Sequence, residues 1–99
     1  MRLCYHQYVQ NDVNLALSRY DEISPKLADA FWDELQKHFK AISENPQAAH
    51  FEIMPYRRVN LKRFPYAILY RALEDHVKIV VVKHVQRRSD YGLKRKFTQ

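Results

Sequence analysis

The sequence predicts an α+β domain in which one N-terminal strand precedes an antiparallel helical hairpin and a three-stranded antiparallel meander follows, in the order β-α-α-β-β-β. Three observations carry this. Two β-branched and aromatic runs, Tyr66–Leu73 and Val77–Val85, flank the acidic turn Leu73-Glu74-Asp75-His76 and read as a hairpin. Two consecutive stretches between Asn11 and Glu44 carry apolar residues at helical spacing. A single glycine, Gly92, leaves no phosphate-cradling loop of the Gly-rich kind.

Taken in order, Arg2–Val9 is short, aromatic and alternating, as a strand should be. Asn11 is a good N-cap, and Val13, Ala16, Leu17, Tyr20 and Ile23 then share one helical face. Ser24-Pro25 restarts the chain with a cap and a proline at the first helical position. The second helix places Leu27, Phe31, Leu35, Phe39 and Ile42 on one side, and Asn45-Pro46 stops it. So brief a joint between two amphipathic helices predicts an antiparallel pair. Residues 47–55 read either as a strand start around Phe51, Ile53 and Met54 or as a loop plug. Tyr56–Phe64 alternates and reads as a strand. The whole chain, 1–99, is expected to be one domain, with 94–99 a flexible tail.

Composition narrows the function classes. One cysteine, Cys4, permits no internal disulfide and suits a reducing cytoplasm, the expected compartment. The five histidines are scattered, so neither a metal nor a cofactor is expected. No apolar run approaches the roughly 20 residues of a membrane span, and no signal-peptide layout opens the chain. Charge is uneven: residues 1–50 hold 5 Lys/Arg and 7 Asp/Glu (5 − 7 = −2), residues 51–99 hold 12 and 4 (12 − 4 = +8). Such a field steers anionic partners to one half of the domain.

Four pieces in order carry a resemblance: Tyr20, Ile23-Ser24 and Leu27-Ala28 with Phe31 and Leu35; Ile42-Ser43-Glu44-Asn45-Pro46; Arg57-Arg58 leading to Leu61-Lys62-Arg63-Phe64-Pro65-Tyr66; and His84, Arg87-Arg88 and Tyr91. With these the chain resembles toxins of the RelE/ParE superfamily, the toxic half of type II toxin–antitoxin modules. The resemblance implies a cognate antitoxin whose flexible, often acidic segment wraps the sheet and the helical hairpin. It also implies one of two targets. RelE-like members cut messenger RNA in the ribosomal A site without metal; ParE-like members inhibit DNA gyrase. Homodimer and toxin–antitoxin hetero-oligomer both stay open, as does a degenerate toxin that only binds antitoxin.

Were the chain RelE-like, His84 and Tyr91 would move protons and Arg58, Arg87 and Arg88 would stabilise the phosphorane. The match is incomplete. RelE-like nucleases carry an arginine at the position of Ala67 and a basic residue at that of Asn60, and each lost donor costs roughly 3 kcal/mol of transition-state stabilisation. The resemblance therefore favours the ParE-like, plasmid-stabilisation branch. Arg57, Arg58, Arg63, Arg87 and Arg88 are the candidate anion- and target-binding residues, with Arg58, Arg87 and Arg88 expected in one concave patch. Arg57 and Arg58, adjacent on a strand, must face opposite sides. Tyr20 and Trp32 are the candidate antitoxin contacts. Each residue has a plainer role: His84 as a strand-end structural histidine, Tyr91 packing the tail, Arg63 and Arg71 as solvated or ion-paired surface.

Overall fold

A computed structural model describes residues 1–97. The elements run β1 (Arg2–Tyr5), α1 (Val9–Ile23), α2 (Pro25–Glu44), β2 (Phe51–Ile53), β3 (Tyr56–Asn60), β4 (Tyr66–Ala72) and β5 (His76–His84). The five strands form one sheet in the order β1-β5-β4-β3-β2. The α+β class and the strand–hairpin–meander order match the expectation. The ambiguous 47–55 segment resolves into a three-residue edge strand that extends the meander. β1 lies parallel to β5, from Arg2 opposite His76 to Tyr5 opposite Ile79. The helical hairpin makes this possible, since it carries the chain back across the sheet before the antiparallel strands begin.

Both helices pack on one face. Val9, Val13 and Ala16 of α1 and Phe31, Leu35, Phe39 and Ile42 of α2 meet Tyr66, Ile68, Tyr70, Val77, Ile79 and Val82. Phe31 is fully buried and lies edge-on to Phe64 (5.3 Å) and Tyr66 (5.2 Å), with Tyr20 at 5.4 Å. Truncating a side chain so placed costs about 3–5 kcal/mol. Tyr20, half-buried, thus also packs on the core's aromatic cluster.

Helix α1 begins earlier than Asn11. Tyr8 is its N-cap, and burial of Val9 draws one more turn into the helix. The amide of Tyr8 donates to Nδ1 of buried His6 (3.1 Å), so the ring proton sits on Nε2, which donates to the carbonyl of Lys96 (2.8 Å). Helix α2 starts at Pro25 as expected, with extended Ser24 before it.

The face away from the helices is not open. The segment after β5 folds back over it. Gly92, at φ 84°, presses on Val81, where an added Cβ would come within 2.8 Å of the Val81 Cβ. Ala67, Leu69 and Val81 are fully buried beneath this strap. Arg95 clamps its far end, and Phe97 lies edge-on to His6 at 5.1 Å. Within the stretch expected to be a flexible tail, Arg95 and Phe97 thus make contacts with the fold; residues 98–99 lie outside those described.

Candidate functional site

Strand register sorts the outer face into cross-strand rows. Asn60 stands opposite Ala67, and Ala67 opposite Lys83; Arg58 stands opposite Leu69, and Leu69 opposite Val81. Alternation then places Arg58 outward and Arg57 inward, so the two arginines face opposite sides, as their adjacency on a strand requires. Arg57 is a structural clip. It donates to the carbonyls of Ala49 (2.8 Å) and Gln47 (3.1 Å) and lies 4.1 Å from the Phe51 ring centroid. It holds the loop after α2 against the sheet.

Lys83 is the outer-face residue that the sequence reading passed over. Only 2% of it is exposed, and its ammonium donates to the carbonyls of Arg88 (2.6 Å) and Ser89 (3.0 Å). Burial, reinforced by the nearby Arg58 charge, pushes its pKa down. A lysine set among Val80, Val81 and Val82 was its sequence signal. It ties down the strap and also lines the groove described below.

Each of the three arginines expected in one concave patch has its own local partner. Arg58 is bound by Glu52 (2.8 Å) and by Asn60 Oδ1 (2.8 Å). Arg87 lies 4.8 Å from the Tyr91 ring centroid and lines a groove on the α1 side of β5. Arg88, largely exposed, pairs with Asp90 and lines a different, shallower hollow. Arg63 sits on the β3–β4 loop with its guanidinium 5.5 Å from the Phe64 ring.

His84 packs its ring 5.3 Å from Tyr66, and its Nδ1 accepts from the Gln86 amide (3.1 Å). It and Tyr91 line the groove that also receives Arg19, Leu15 and Arg87, a hollow of about 500 Å³. One wall is the end of β5 beyond the reach of β1. There Asp12 substitutes for a strand. Its carboxylate accepts from the Val82 amide (3.0 Å) and, at 2.7 and 2.8 Å, from both terminal nitrogens of Arg95. That pairing holds the Arg95 pKa up, chiefly through the hydrogen bond. The remaining expected contact, Trp32, is 44% exposed and lines a second hollow of about 430 Å³ with Tyr5, Val9, Val13 and Phe39.

Among the described residues no group of three His, Cys, Asp or Glu is placed to hold a metal ion, and no helix is long and apolar enough to cross a membrane.

A family model described as "ParE toxin of type II toxin-antitoxin system, parDE" matches residues 5–91. The chain belongs to the ParE toxin family. Toxin ParE2 of Mycobacterium tuberculosis, in strains CDC 1551 / Oshkosh and ATCC 25618 / H37Rv, is 30% identical over 87 residues, covering 84% of this chain and 80% of the relative. A solved structure, "Chromosomal ParDE TA system from P. aeruginosa", superposes with a TM-score of 0.74 at 19% identity, covering 85% of this chain and 95% of that one, which shows the shared fold. The protein is the toxin of a type II module, and a module of this kind supplies an antitoxin partner.

Proposed function

We propose that this ParE toxin arrests growth in the cytoplasm by binding DNA gyrase, without cutting RNA. The observation that carries the reading is the state of the outer face. In RelE-like relatives the positions of Asn60 and Ala67 carry cations. Here Ala67 is buried under the strap, and the one adjacent cation, Lys83, has its ammonium engaged by two main-chain carbonyls. Metal-free RNA cleavage needs a base, an acid and free cations around one phosphate. Arg58 is paired with Glu52, and in the groove that His84, Arg87 and Tyr91 share with Lys83 the Lys83 ammonium is already taken by main-chain carbonyls. Binding, by contrast, asks only for accessible complementary surface. Arg63, Arg87 and Arg88 supply it as target contacts. The antitoxin places apolar side chains in the Trp32 hollow, whose Tyr5, Val9, Val13 and Phe39 lining suits them.

The test is a supercoiling assay with purified gyrase and relaxed plasmid. The protein is expected to inhibit supercoiling, and Arg87→Ala/Arg88→Ala to weaken that inhibition about tenfold or more. Full supercoiling at saturating protein would contradict the target assignment.

A further inference from the structure

The outer face holds one set of cations that the strap does not consume. Arg71 of β4 and Lys78 of β5 stand directly opposite each other in the ladder. Both point outward, since Tyr70, Val77 and Ile79 on either side point into the core. Like charges in directly opposed positions destabilise a sheet. Among the described residues neither is within ion-pair distance of a carboxylate; the Arg95 charge nearby is answered by Asp12, not by them.

Lys96 brings a third cation to the same place. These side chains line a hollow of about 360 Å³ together with Tyr56 and Phe97. Phe97 lies beneath the Lys78 ammonium, 4.9 Å from ring centroid to Nζ, which orients that charge over an apolar wall. The hollow is at the β4–β5 turn end of the sheet, and Arg95, held by Asp12, completes its lining.

We infer that this hollow binds the phosphate groups of a single-stranded nucleic acid. Three converging cations exceed what one carboxylate can answer, whereas a phosphate offers several acceptor oxygens to the guanidinium fork and the ammoniums. An aromatic ring beside a cationic track gives a base a stacking surface, and Tyr56 provides it. The site does not depend on gyrase being the target.

Fluorescence anisotropy of labelled dT12 titrated with the full-length chain tests the assignment. The Arg71→Gln/Lys78→Gln variant is expected to bind at least tenfold more weakly at low salt. Its slope of log affinity against log salt should be smaller by about 1.4, from two lost contacts at about 0.7 each. Lys26→Gln/Lys37→Gln, the same charge change on exposed helix α2, should stay within about threefold of wild type. Melting of the Arg71/Lys78 variant at or above the wild-type temperature would establish that it folds, as relief of the opposed charges predicts. Equal losses in both variants would reduce the effect to net charge and overturn the site. Inorganic phosphate binding as tightly as dT12 would make the ligand free phosphate and overturn the nucleic-acid assignment. Oligoglutamate of equal length binding as tightly, and lost in the same variant, would make the hollow an acidic-protein surface and also overturn it.

Discussion

Asp12 joins three parts of the chain through one carboxylate: helix α1, which carries it, the unpaired end of β5 through the Val82 amide, and the strap through Arg95. Both partners of the ion pair are mostly shielded, at 13% and 7% side-chain exposure. Removing one member of such a pair leaves a buried charge and costs about 3–5 kcal/mol. Asp12→Ala is expected to lower the unfolding free energy by that amount, read from urea midpoints, and an unchanged midpoint would show the pair to be ornamental. Lys83 gives a prediction of opposite electrostatic character. Its folded pKa lies below its unfolded one, so between those values the unfolded chain binds more protons and stability rises with pH. Lys83→Met should abolish that alkaline rise while loosening the strap, since the carbonyls of Arg88 and Ser89 lose their donor. A persistent rise in the variant would assign it to another group. Neither residue was legible as a structural tie in the sequence. Asp12 and Arg95 stand far apart along the chain, and spacing says nothing about pairs that only tertiary folding brings together.

Helix α2 and the β3–β4 loop are joined by Glu34, whose carboxylate accepts from the amides of Lys62 and Arg63 and from His38. Burial pushes its pKa up, but those hydrogen bonds outweigh it and the net direction is down. A depressed carboxylate contributes stability that is present above its unfolded pKa and lost as pH falls through the folded one. Glu34→Gln should therefore flatten the acid limb of the stability profile, and an acid limb as steep as in wild type would assign that loss to other carboxylates. The strap depends equally on Gly92. An alanine there would be strained at φ 84° and would meet Val81, so Gly92→Ala is expected to raise amide hydrogen exchange across 88–96 with core exchange unchanged. Protection equal to wild type would mean the strap tolerates a shifted path. Helices, meander and turn were legible because periodicity is a local property of the chain. The strap was not, because a Lys/Arg-rich end with little apolar content reads as solvated; what docks it is Gly92 on Val81, one aromatic ring and contacts to distant carbonyls and a carboxylate.

Across the whole molecule, the uneven charge seen in the sequence survives folding but is divided. Glu52 answers Arg58, Asp12 answers Arg95, main-chain carbonyls take Lys83, and two separate surfaces keep their cations: the groove with Arg19 and Arg87, and the hollow with Arg71, Lys78 and Lys96. The sequence reading identified the family and the basic half correctly, and it identified Arg57 and Arg58 as facing apart. The local partners of Arg58, Arg87 and Arg88, namely Glu52, Tyr91 and Asp90, were not legible, because charge and spacing do not say which neighbour each guanidinium meets. The strap takes up the Lys83 ammonium, and the proposal that the protein does not cut RNA rests on that contact, the point most open to direct attack. Toeprinting of messenger RNA on programmed ribosomes, with and without the protein, measures it. The account predicts no new 5′ ends at the A-site codon at any protein concentration that blocks gyrase. Codon-positioned cleavage that disappears in His84→Ala or Tyr91→Phe would contradict it.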